Sequence, residues 1–149
     1  MKQSDILIFR ASLEPKIFRD IEIAATASLY RFAQAIADAF GFDFDHAFGF
    51  YDKLTGNFYD SKVKYELFFD MGEAEKGVLS VKKNSVATAF PADKTKLLFL
   101  FDYGDEWGFK VERIGSGLKA NGVKYPRVTK SVGIEPPQYE YPEDEDDNG

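Results

Sequence analysis

Five apolar side chains in a row, Leu97, Leu98, Phe99, Leu100 and Phe101, constrain this chain more than any other feature. Successive side chains of a strand point to opposite faces, so an unbroken apolar run needs cover on both sides. Residues 96–103 are therefore expected to form a buried strand at the centre of a sheet. Gly104-Asp105 supplies a tight turn, and residues 107–114 read as the hairpin partner.

The remaining pattern supplies a sheet and one clear helix. In residues 5–13, Leu7, Phe9, Ala11 and Leu13 share one face, with Ile6, Ile8 and Arg10 on the other. In residues 15–24, Ile17, Ile21 and Ile23 share a face that also carries Arg19. Glu14-Pro15 between the two runs suggests an antiparallel pair. Leu29, Phe32, Ala33, Ile36 and Phe40 then fall at helical spacing. Ser28 is placed to accept a free N–H at the helix start, and Gly41 to end the helix in a left-handed conformation.

Residues 46–53 alternate as a third strand, and residues 54–57 read as a turn into Phe58. Residues 61–92 have no single pattern. Within them 78–81 and 86–90 read as short strands or turns, and 115–122 reads as a flexible loop. Tyr125-Pro126 opens an irregular segment, because Pro136-Pro137 and Pro142 block regular structure. The expected fold is α+β: a mainly antiparallel sheet with one long helix from the N-terminal half packed on it. A single domain over residues 1–139 is followed by a disordered acidic tail, 140–149.

Fifteen Phe imply a large, ring-rich core. The absence of Cys excludes disulfides, thiolate zinc sites and cysteine nucleophiles. No apolar stretch is long enough for a membrane span and none resembles a signal peptide, so a cytoplasmic protein with no membrane partner is expected. The net charge of −6 belongs to the tail, where Glu140, Glu143, Asp144, Glu145, Asp146 and Asp147 are unopposed. Without those six, nineteen acids face nineteen bases.

Candidate chemistry is sparse. Asp102 and Asp105 flank the central turn, where two acids can hold a divalent cation or act as an acid–base pair; the same residues are those a hairpin turn requires. His46 is the lone histidine, beside Asp43 and Asp45, and no nucleophile accompanies it. Ligands for a transition-metal site are too few, so neither a metal nor a cofactor is expected. Gly115-Ser116-Gly117 has too few glycines and no following helix for a phosphate loop, since its flanks are a strand and more loop. Between residues 108 and 134, Lys110, Arg113, Lys119, Lys124, Arg127 and Lys130 face a single acid, Glu112, with Tyr125 among them. Such a segment can track a phosphate backbone or simply keep a loop solvated. The acidic tail could fold back on it through salt-sensitive attraction.

Three segments carry a family resemblance. The opening hairpin leads into a helix ending Ala39-Phe40-Gly41-Phe42, followed by Asp45-His46. Phe101-Asp102-Tyr103-Gly104-Asp105-Glu106-Trp107 is the most specific match, and Tyr125-Pro126-Arg127 with Pro136-Pro137 closes the series. Together they resemble the plasmid pRiA4b ORF-3-like family, largely of unknown function. The resemblance implies an α+β fold with the helix packed on an antiparallel sheet. Some relatives travel on mobile elements under resolvase-like labels, which suggests DNA by association. This chain departs from the pattern: Ala33 and Phe109 stand where relatives often carry His, Phe42 where they carry Trp, and Glu135-Pro136-Pro137-Gln138 where they carry a Cys-containing acidic motif. If those positions form a metal or catalytic site in relatives, this chain lacks it.

The reading favoured is a non-enzymatic binding or adaptor domain with an unidentified protein partner, its surface near Tyr103, Asp105, Trp107 and the basic segment with Tyr125. A nucleic-acid-associated accessory protein is the second reading. The third is a divalent-metal-dependent, carboxylate-based hydrolase using Asp102, Asp105 and His46.

Overall fold

A computed structural model describes residues 5–139, so expectations for the tail lie outside the described residues. The strands are β1 (Ile6–Glu14), β2 (Ile17–Ala24), β3 (Phe48–Tyr51), β4 (Lys64–Glu66), β5 (Leu79–Ser80), β6 (Lys96–Phe101), β7 (Trp107–Gly117) and β8 (Arg127–Val132). The helices are α1 (Leu29–Ala39), α2 (Leu67–Asp70) and α3 (Val86–Ala89). The strands form one sheet in the order β5-β4-β3-β6-β7-β1-β2-β8. Every pairing is antiparallel except β4 with β5.

β6 lies in the middle of the sheet, as its apolar run demands. Leu97, Phe99 and Phe101 enter the main core with Phe32, Phe48 and Phe109. On the other face Leu98 and Leu100 pack with Tyr51, Phe58 and Tyr103. A Phe side chain taken fully out of water contributes about 1.5–3 kcal/mol, so these rings dominate the stabilisation.

The expected face assignments of β1 and β2 hold: Leu7, Phe9, Ala11, Ile21 and Ile23 are buried. α1 starts at Ser28, whose hydroxyl accepts from Arg31 N, and Gly41 follows its end at φ +73°. At eleven residues α1 is shorter than the stripe suggested, because Phe40 leaves helical geometry. Arg19 of the Ile face is 4% exposed. Its guanidinium donates to the carbonyls of Ala39, Phe18 and Val132 and to Glu135 at 2.6 Å. One side chain thus neutralises the end of α1 and fixes the chain leaving β8.

Four expectations need correction. The third strand covers only Phe48–Tyr51, because residues 52–57 turn away into a 3-10 helix at Phe58–Asp60. Residues 86–90 contain a helical turn: Ser85 caps it by accepting from Thr88 N, and Val86 and Ala89 are buried. Residues 115–117 extend β7, because Gly115, Ser116 and Gly117 pair with Ile8, Leu7 and Ile6. The segment after Pro126 is a strand, β8, held by antiparallel pairing to β2.

Candidate functional site

The β6–β7 turn brings two candidate residues together. Asp102 has φ +71° and is 6% exposed. Its Oδ1 accepts from Gly104 N at 3.0 Å and Asp105 N at 3.3 Å, which closes the turn. Its Oδ2 lies 3.4 Å from His46 Nε2. Asp105 joins this arrangement through its backbone, and its side chain is exposed.

Two residues outside the expected site complete the cluster. Tyr139 donates its hydroxyl proton to Asp45 Oδ2 at 2.7 Å, and the Tyr139 hydroxyl oxygen lies 2.8 Å from His46 Nε2. With the Tyr139 proton given to Asp45, His46 Nε2 is the donor in the second contact. The Tyr139–Asp45 bond pushes the Tyr139 hydroxyl up to about 12, and it holds Asp45 below its ordinary carboxylate value. Gln138 clamps the segment: its Oε1 accepts from Asp43 N at 2.6 Å, and its Nε2 donates to Asp43 O at 3.1 Å. The two prolines at 136–137 signal an irregular segment, but nothing periodic tells where it docks.

This docking builds a cleft of about 500 Å³ lined by Asp105, Trp107, Pro136, Pro137, Gln138 and Tyr139. Trp107 packs its ring on Phe42 at 4.9 Å, and its Nε1 is buried without a hydrogen-bond partner. The walls are rings and prolines. Behind Tyr139, the polar groups His46, Asp45 and Asp102 are engaged with Tyr139 and with one another.

The expected binding set is divided between the two faces of the sheet. Trp107 packs with the core on the α1 side, whereas Tyr103 packs with Tyr51 and Leu100 on the other face. Tyr103 also lies 5.1 Å from the Phe68 ring. Arg113 is held by the Phe90 carbonyl at 2.8 Å and by Asp93 at 3.2 Å. Arg127 pairs with Glu22 at 2.7 Å and lies 5.7 Å from the Tyr125 ring. Tyr125 accepts from Ala120 N at 3.2 Å. Lys110, Lys119, Lys124 and Lys130 are exposed and make no ion pair among the described residues.

The registers also set Lys130 opposite Asp20, Asp20 opposite Arg10, Arg10 opposite Glu112 and Glu112 opposite Lys96. A row of alternating charge therefore crosses five strands on the face away from α1. Its centre is the Arg10–Asp20 pair, joined by bonds of 2.8 and 3.0 Å. Of the bases along residues 108–134, Arg113 and Arg127 are paired in space with acids from the 91–95 loop and β2.

The positions of departure from the family pattern are apolar or structural. Ala33, Phe42 and Phe109 are buried in the main core. Glu135 binds Arg19, and Gln138 binds Asp43. Among the described residues no group of three or more His, Cys, Asp or Glu could hold a metal ion. No described helix is long and apolar enough to cross a membrane.

A second cluster escaped the sequence reading because it involves the unpatterned residues 61–92. Tyr51 donates to Glu66 at 2.5 Å, and Tyr103 lies 2.7 Å from Tyr51, hydroxyl to hydroxyl. With the Tyr51 proton on Glu66, Tyr103 is the donor to Tyr51. Burial, reinforced by Tyr103 and Glu66, pushes the Tyr51 hydroxyl far above its ordinary value. Gly49 makes room for this chain. A Cβ there would lie 2.8 Å from the Tyr103 hydroxyl, 2.9 Å from that of Tyr51 and 2.9 Å from the Tyr65 carbonyl.

The family model described as "Plasmid pRiA4b ORF-3-like protein" matches residues 6–139. Among solved structures, the chain is similar to the crystal structure of the protein of unknown function MM3350 from Methanosarcina mazei Go1. The TM-score is 0.71 and the identity 20%, and the match covers 92% of this chain and 74% of that one. No curated protein matches the chain.

Proposed function

The chain belongs to the plasmid pRiA4b ORF-3-like family, and from that premise we propose that it is a non-enzymatic binding domain for a protein partner. Neither the family nor the solved neighbour carries an assigned activity. The observation that carries the reading is the cleft between the β6–β7 turn and residues 136–139, walled by Trp107, Pro136, Pro137 and Tyr139. Concave surfaces with aromatic walls and few polar groups suit recognition. The side chains a hydrolase would need are tied up: His46 Nε2 donates to Tyr139, and the Tyr139 hydroxyl is held neutral by Asp45.

The test is capture of partners by the full chain and by Asp105→Arg and Pro137→Arg, both at exposed positions of the cleft. A protein bound by the parent chain, lost in both variants, retained by Lys110→Glu and rebound from purified components supports the reading. Capture unchanged in both variants overturns it. Turnover of an ester or phosphodiester probe that disappears in Asp102→Asn would put the hydrolase in its place.

A further inference from the structure

On the face of the sheet away from α1, and independent of the Trp107 cleft, lies a concavity of about 340 Å³. It is lined by Tyr59, Lys64, Glu66, Phe68, Glu73, Glu75 and Val78. Glu66 is 7% exposed. It occupies the N-cap position of α2, yet its side chain makes no cap bond to the helix. Oε2 accepts from Tyr51, and Oε1 is not among the buried atoms left without a partner. A carboxylate taken this far out of water is costly unless it is paired.

We propose that this concavity is a binding site for the ammonium group of an organic cation, which pairs with Glu66 and lies against the Tyr59 and Phe68 rings. Three observations lead there. Three carboxylates line the site against one ammonium, that of Lys64, so its field attracts positive charge. Two aromatic rings form part of the wall, and aromatic faces attract alkylammonium ions. Tyr59 is 55% exposed, which leaves it open to a ligand. A bare metal ion is not favoured, because no described group of three or more acids or histidines could hold one. The hydroxyl chain Tyr103–Tyr51–Glu66 fixes the orientation of the carboxylate before any ligand arrives. Lys64 shares a face with Glu66, two residues away on β4, and competes as an internal cation.

Butylammonium chloride titrated into the full chain, with amide shifts followed by NMR, tests the site. Sodium chloride at equal ionic strength is the control. The expected result is saturable shifts at Tyr59, Lys64, Glu66 and Phe68, with affinity at least about tenfold weaker in Glu66→Gln, the loss of a charge-assisted pair. Lys64→Ala is expected to bind more tightly. Shifts no larger than those with sodium chloride overturn the proposal, as does unchanged affinity in a folded Glu66→Gln. If that variant does not fold, Glu73→Gln combined with Glu75→Gln carries the test. Both positions are exposed, and affinity unchanged there overturns the proposal. An N-acetyl-lysine methylamide arm separates the sources of the ammonium. Binding well above that of butylammonium assigns a protein lysine, and equal binding assigns a free amine.

Discussion

Arg127 on the outermost strand donates to Glu22 of β2 at 2.7 Å, so a base that looks available in the sequence is occupied in the fold. Arg113 is likewise held by Asp93. Lys110, Lys119, Lys124 and Lys130, which make no ion pair among the described residues, remain to neutralise phosphates. Each neutralised phosphate contributes about −0.9 to the slope of log K against log salt on duplex DNA. For the chain truncated after Tyr139, any binding to duplex DNA through this segment is therefore expected to have a slope no steeper than about −3.6. A steeper slope, measured by fluorescence anisotropy, would return the nucleic-acid reading to first place.

Arg19 is the charged residue most deeply committed to the fold. Arg19→Met leaves the Ala39 and Val132 carbonyls and the Glu135 carboxylate without their donor. Removing one partner of such a network costs about 3–5 kcal/mol. Urea denaturation is expected to show a lowered midpoint with an unchanged slope. Glu135→Gln is expected to cost far less, because Glu135 is partly solvated.

Gly49→Ala places a methyl group against two hydroxyls and a carbonyl at 2.8–2.9 Å. Overpacking of this kind costs about 1–3 kcal/mol. Tyr103→Phe removes the nearest of those atoms, so the double variant is expected to lose less than the sum of the single variants. A double-mutant cycle on thermal unfolding measures the difference. Strict additivity would show that the clash is relieved elsewhere.

The clasp between Tyr139 and Asp45 should respond to pH at both ends. Asp45 is depressed in the fold, so its contribution is present above the usual carboxylate range and lost as pH falls through its lowered value. Tyr139 is raised to about 12, so its contribution is present below the ordinary tyrosine value and lost as pH rises toward 12. Trp107 is the only tryptophan and lines the same cleft, so its fluorescence reports both transitions. Tyr139→Phe is expected to abolish the two changes together.

The elements legible in the sequence are those specified by neighbours along the chain. Ser28, the 29–40 stripe and Gly41 mark α1, and the five apolar residues of β6 mark the centre of the sheet. Arg19 could be placed on the core face, but its role could not, because its acceptors lie twenty and more than a hundred residues away. β8 was missed for the same reason. Residues 127–131 are all exposed, and the strand exists only through its ladder to β2. Asp102, Asp105 and His46 could be singled out as a set. Asp45, Gln138 and Tyr139, which determine what that set can do, become relevant only when residues 138–139 return to the segment 43–46 ahead of β3. Glu66, Tyr51 and Gly49 carry no local signal, since their relationship arises from register alone.

The position of β1 between β2 and β7 has a consequence for synthesis. β2 is available to β1 at once, but the other neighbour follows roughly a hundred residues later. At about 5–20 residues per second, a ribosome takes roughly 5–20 s to deliver it. During that interval β1 has an open edge on a nascent chain rich in phenylalanine. Chaperone dependence should therefore be set by the time between the first hairpin and the emergence of β7, and slower translation of the middle of the message should increase it.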